Sequence, residues 1–204
     1  MNRFKFTLAG IAVVAVASLA LLAACDDDST TPATGGTPPD GPTAPRPTDS
    51  DSPFDGTRDR VEDFTDLERI GSSTVQRVEA FDNGPFDRME FTFNDGIPDY
   101  TIEYVDAPIA CGSGFPVEVA GAAFLEIRMQ PTAAHDDAGV ETIATPDMLF
   151  DFPTLLQLKI TCDFEGQVVW VAGLSEEVNF RSTWRKSSLP EYIIVIDVNH
   201  PGQD

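Results

Sequence analysis

The chain has 204 residues, with 13 basic against 34 acidic side chains and a formal charge of −21. An acidic excess of this size repels phosphate backbones, which argues against a nucleic-acid partner. It equally repels anionic lipid head groups, which makes a lipid anchor more necessary for any hold on a membrane surface.

The first segment carries Arg3 and Lys5, then an apolar run from Leu8 to Leu22. A positive start, an apolar middle and small residues at the end predict a secretory signal peptide over residues 1–24. An uncleaved membrane span needs about 20 apolar residues and usually a charged stop. The run is shorter and ends in Leu22-Ala23-Ala24-Cys25. That tetrad resembles the lipobox of bacterial lipoproteins, which implies cleavage before Cys25 and lipid on its sulfur. Removing residues 1–24 takes away two cations and no acid, leaving 11 basic against 34 acidic residues, or −23.

Residues 25–58 are dominated by Asp, Pro, Thr and Gly. Too few apolar side chains occur there to offset the entropy of ordering, so a disordered tether is expected, with a reach of roughly 30 Å. Val61, Phe64, Leu67 and Ile70 then fall at near-helical spacing before Gly71, which predicts a short helix over 59–71. The stretch 72–199 is long enough for one domain with its own core, followed by a tail over 200–204 in which His200 has no evident partner.

Within 72–199 the period is two. Met89, Phe91 and Phe93 alternate with Arg88, Glu90 and Thr92, then Asn94-Asp95-Gly96 supplies a turn before Tyr100–Val105. Further strands are expected near Val75–Phe81, Val117–Val119, Ala123–Met129, Leu155–Thr161, Val168–Ala172, Phe180–Arg185 and Tyr192–Val198. Gln130 to Pro153 reads as a long loop. Seven to nine short strands predict an all-β sandwich or barrel.

The segment from Phe86-Asp87-Arg88 to Phe93, with Ile97-Pro98-Asp99-Tyr100 onward to Asp106, resembles the opening of the AMIN-like domain. Gly112-Ser113-Gly114, Phe124–Met129, Asp163-Phe164-Glu165-Gly166, Trp170–Leu174 and Ile194–Val198 extend the resemblance over most of 74–198. It implies a β-sandwich of an exported bacterial lipoprotein, of the actinobacterial type. More distantly, it implies the wall-binding role of AMIN domains proper. The family's ending usually carries an arginine after the proline, where this chain has Glu191.

Chemistry-bearing residues are few. With Cys25 lipidated, Cys111 and Cys162 remain, and an even pair in an exported domain reads as a disulfide rather than as two separate thiols. They are too far apart in sequence for a zinc site. His135-Asp136-Asp137 is the one run where a histidine stands among carboxylates. It could serve as an oriented base or a weak metal site, though a solvated turn capped by Asp is the plainer reading. Asp163 and Glu165 read as flanks of a hairpin turn. No nucleophile elbow, phosphate loop or HExxH helix occurs. Trp170, Trp184, Tyr100, Tyr104 and Tyr192 lie on strands and are expected mainly in the core, with a sugar-stacking platform as the alternative.

These features predict a non-catalytic, lipid-anchored module of the cell envelope, facing the exterior or the periplasm. Its partners are the membrane, through Cys25, and either peptidoglycan or an envelope protein. No cofactor is expected. A hydrolytic or metal-assisted enzyme using the His135 loop is one alternative; a structural assembly module that binds no polymer is another. The anchor has a direct test: Cys25→Ala should move the protein from the membrane fraction to the soluble one. Retention on the membrane after a high-salt wash would exclude lipid attachment.

Overall fold

A computed structural model of the chain describes residues 54–64, 73–187 and 190–203. The expected signal peptide, Cys25 and almost all of the expected tether lie outside the described residues.

Eleven strands and no helix occur among the described residues. Six form one sheet in the order β1-β4-β5-β9-β8-β7: Val61–Asp63, Asp99–Val105, Ala123–Gln130, Gln167–Leu174, Leu155–Phe164 and Asp147–Leu149. Five form the other in the order β10-β11-β3-β2-β6: Phe180–Lys186, Glu191–Asn199, Phe86–Asn94, Ser73–Asp82 and Thr132–Ala133. All pairings are antiparallel except β2 with β6. The result is the β-sandwich expected from the period-two pattern.

Alternation decides which side chains enter the core. Met89, Phe91 and Phe93 of β3 stand beside Ile194, Ile196 and Val198 of β11, all buried. Leu125, Ile127 and Met129 of β5 and Val168, Trp170 and Ala172 of β9 complete the same core cluster from the other sheet. Phe91 meets Trp170 edge-on, with centroids 6.0 Å apart. Trp170 and Tyr100 are core residues, while Tyr104, Trp184 and Tyr192 pack partly buried against them. The Tyr104 hydroxyl donates to the Val178 carbonyl at 2.8 Å and accepts from the Val178 amide at 3.1 Å.

Turn chemistry matches the backbone. Glu165 and Gly166 both take positive φ (51° and 75°) in the two-residue β8–β9 hairpin, so Asp163 and Glu165 do flank a turn. At Gly173 a Cβ would collide with the Ala120 carbonyl oxygen, because the β4–β5 connection crosses β9 there at backbone contact.

One inward carboxylate and the amides it binds stitch the layers together. Asp87 is fully buried, and its Oδ2 accepts the amides of Thr154 at 2.9 Å and Leu155 at 2.7 Å, at the start of β8 in the opposite sheet. His200 Nε2 lies 3.0 Å from the other oxygen, and the Thr154 hydroxyl donates to the Asn199 carbonyl at 2.8 Å. On the outer face, Arg88 of β3 and Arg181 of β10 both clasp Asp197 of β11, at 2.7 and 2.9 Å.

Three expectations need correction. Val61–Asp63 forms a strand on the free edge of β4, not a helical turn; an unpaired edge offers ladder hydrogen bonds that four residues of helical spacing cannot match. Leu67 and Ile70 lie outside the described residues. Val117–Val119 is not a strand: Pro116 has no amide to give, and only an isolated bridge joins it to Ile109. His200 is buried at 7% exposure against Asp87, not loose in a tail.

Replacing Asp87 by Ala leaves two buried amides and a buried imidazole without their acceptor. Urea unfolding should show a loss of about 3 kcal/mol or more. A loss below about 1 kcal/mol would show that the clamp contributes little.

Candidate functional site

The β4–β5 connection leaves its sheet after Val105 and folds into a tight turn at Gly112-Ser113-Gly114. The Gly114 amide donates to the Ala110 carbonyl at 2.8 Å, and the Ala110 amide donates to the Phe115 carbonyl at 2.9 Å. Gly114 takes φ +70°, which is why glycine suits the position. The Ser113 hydroxyl accepts the Phe115 amide at 3.3 Å, so this serine is part of the turn.

Cys111, at the base of that turn, is bonded to Cys162 of β8, with Cα atoms 5.3 Å apart. The bridge spans a sequence separation of 51, a loop whose closure stabilises by up to about 4 kcal/mol in the chain-entropy account. It fastens the connection to β8 of the six-stranded sheet, beside the hydrogen bond from the Ala120 amide to Gln157 Oε1 at 2.6 Å.

The facing wall is the segment between β6 and β7. Asp136 Oδ1 accepts the amides of Ala138 and Val140, each at 2.9 Å, as expected of a capped turn. Thr142 ties the wall down by donating its hydroxyl to the Val75 carbonyl at 2.5 Å and its amide to Ala134 at 2.9 Å. Between the two walls lies a recess of about 350 Å³. Ile143, Ile160 and the disulfide supply its apolar lining, and Ser113, Glu141, Thr161 and Asp163 its polar one. Phe115, Val140 and Phe164, on the bordering segments, are exposed at 71%, 61% and 58%. Exposed apolar side chains gathered on the segments around one recess make it the candidate recognition surface.

The His135-Asp136-Asp137 run is divided by the fold. His135 Nδ1 lies 2.7 Å from Asp163 Oδ2, Asp136 caps the turn, and Asp137 is exposed. Asp163 also accepts the Ala134 amide at 3.1 Å. The hydrogen bond to Asp163 and that carboxylate's charge raise the His135 pKa above its ordinary value, with partial burial opposing. The partner of His135 is therefore 28 residues away in sequence. Its only signal was an acid in a turn motif.

A second grouping escaped the sequence altogether. Ligand-type atoms of Asp82, Asp87 and His200 all lie within 4.8 Å of one another, where the β2–β3 hairpin meets the end of β11. These are the residues that could hold a metal ion. Asp87 is already satisfied by two amides and His200, and Asp82 Oδ1 accepts the Gly84 amide at 2.8 Å. The grouping is complete as a structural clamp without an ion.

A raised folded-state pKa makes the His135–Asp163 pair stabilising below the unfolded pKa of about 6.5. That contribution is lost as pH rises through the folded value. Both side chains are part-exposed, so the effect on stability is small. Proton titration of the His135 ring by NMR is the sharper readout. Asp163→Asn should bring its pKa down toward the ordinary histidine value, and an unchanged titration would show that the contact does not hold in solution.

No curated protein and no solved structure matches the chain. The profile of the AMIN-like domain matches residues 73–200, a span that begins with β2 and closes on the buried His200. The two Asp87 partners, the disulfide and the recess all fall inside it, and the chain belongs to the AMIN-like domain family.

Proposed function

We propose that the chain is a non-catalytic binding module of the cell envelope, exported and held to a membrane by lipid on Cys25, whose disulfide-walled recess engages peptidoglycan. The recess carries this reading. Its two walls are pinned, one by the Cys111–Cys162 bond and the other by Thr142, before any ligand arrives. Pre-organisation of that kind reduces the ordering cost of binding. Membership of the AMIN-like family supports an envelope role. A disulfide suits an oxidising compartment outside the cytoplasm, and the lipobox-like Leu22-Ala23-Ala24-Cys25 suits the same address.

The test is co-sedimentation of the mature chain, made lipid-free by Cys25→Ser, with isolated peptidoglycan. It should pellet well above an acidic control protein. Gly112 lines the recess, and a Cβ added there meets nothing within 4 Å, so Gly112→Trp starts from open space and can place its ring across the recess. That variant should reduce wall binding by about tenfold, equivalent to roughly 1.4 kcal/mol. Pelleting no better than the control overturns the wall-binding reading, and full binding by Gly112→Trp moves the contact away from the recess.

A further inference from the structure

Three of the four edge strands are short: β1, β6 and β7 have three, two and three residues. The fourth, β10, has seven, with no proline and no bulge in its pairing with β11. Only its first residue is paired on the open side, where Phe180 and Thr57 exchange both backbone hydrogen bonds at 2.8 Å in an isolated antiparallel bridge. Backbone groups alternate in direction along a strand, so Ser182, Trp184 and Lys186 aim theirs the same way as Phe180. The Ser187 amide belongs to the opposite set and turns back to the Glu191 carbonyl at 2.9 Å. No described residue takes up the outward amides and carbonyls of Ser182, Trp184 and Lys186. The chain before Thr57 does not continue the ladder, because Phe54 turns away to the Phe86 ring, with centroids 6.1 Å apart.

A second, independent feature is charge. In a chain with 13 basic against 34 acidic residues, β10 carries Arg181, Arg185 and Lys186. Among the eleven strands it alone has cations and no acid. Arg181 and Arg185 reach across the outer face of the sheet to Asp197 and Glu90, and Arg185 stays 50% exposed. Lys186 has no carboxylate partner among the described residues; its ammonium lies 5.0 Å from the centre of the Tyr192 ring. Like charges set directly opposite each other destabilise a strand pair, so this edge opposes a second copy of itself. An antiparallel β10–β10 ladder centred on Thr183 would set Arg181 opposite Arg185.

From these two features we infer that the β10 edge docks an extended acidic segment of a partner protein, added antiparallel as a further strand of this sheet. Backbone bonds to Ser182, Trp184 and Lys186 supply the ladder, and alternate side chains supply the selectivity. Arg181 and Arg185 share the outer face, so the incoming strand places its carboxylates there. Trp184, packed partly buried against the core, lies on the other face and takes apolar side chains. The partner segment therefore alternates acidic with apolar residues, and its apolar residues face β10 with their amides. Thr57 already uses this mode of pairing at the first position of the same edge. Neither the recess nor the wall enters the inference, which stands apart from the function proposed above.

The test titrates the mature chain, made lipid-free by Cys25→Ser, with an end-blocked heptapeptide of alternating glutamate and valine, while backbone amides are followed by NMR. The signals of Ser182, Trp184 and Lys186 should move, and their hydrogen exchange should slow. A peptide with lysine in place of every glutamate should bind at least about tenfold more weakly. N-methylation of the valines removes the donors that face β10 and should abolish binding, whereas N-methylation of the glutamates should leave most of it. Lys186→Pro deletes one outward amide and its charge at an edge position where proline is tolerated, and should weaken binding about tenfold with the other strand signals in place. Equal binding of the glutamate and lysine peptides, or full binding after valine methylation, overturns the acidic strand. So does the absence of any shift on β10 with the glutamate peptide. Protection of the same three amides without peptide, growing with protein concentration, would make the occupant a second copy and overturn the acidic partner.

Discussion

The Asp87 carboxylate is the constraint on which the arrangement of the two sheets depends. A fully buried acid is tolerated only where donors surround it, and here they come from two distant places in the chain. Thr154 and Leu155 bring the first residues of β8, in the opposite sheet, and His200 brings the end of β11. One inward-facing side chain on β3 thus sets where the other layer begins and where the chain must finish. The hydrophobic core between the sheets is non-directional and would accept several offsets of one layer on the other. The directional bonds at Asp87 select one.

The next residue, Arg88, faces the other way and has a parallel task. Asp197 lies directly opposite it in β11, with Arg181 directly opposite Asp197 in β10. The row Arg88–Asp197–Arg181 crosses three strands, and the rings of Phe54 and Phe86 lie 4.7 and 5.0 Å from the Arg181 guanidinium. Asp197 is only 3% exposed, so this pairing is shielded from solvent and is worth more than a surface ion pair. The motif Phe86-Asp87-Arg88 that carried the family resemblance is accordingly structural: its acid joins the layers and its base joins the strands.

That division explains what the sequence could and could not disclose. Strand positions were legible because burial alternates locally, and β3, β4, β5, β8, β9, β10 and β11 all fall within a few residues of where the pattern puts them. The even pair Cys111 and Cys162 was legible because, with Cys25 expected to carry lipid, the three cysteines leave only this pair. The partners of Asp87, His135 and His200 were not, because each lies in a different strand or loop and no periodic signal links them. The pairing of Val61–Asp63 with β4 failed for a related reason. Three residues can satisfy a helix pattern or a strand pattern equally well, and only the exposed edge of β4 decides between them.

The two anchors of β8 show how one strand both holds the layers together and floors the recess. Its first residue is held by Asp87, and Cys162, about 23 Å further along the strand, is held by the disulfide. Between these anchors the register shifts at Thr161, whose hydroxyl is buried without a partner beneath the recess. A defect of this kind in an otherwise well-paired sheet is affordable only because both ends of the strand are fixed. The wall above rests on the shifted residue itself, since the Cys111 amide donates to the Thr161 carbonyl at 3.4 Å, while the turn at Gly112-Ser113-Gly114 closes its own backbone bonds. The recess therefore persists as an open, acid-lined feature, and the same bond that stabilises the domain holds its shape.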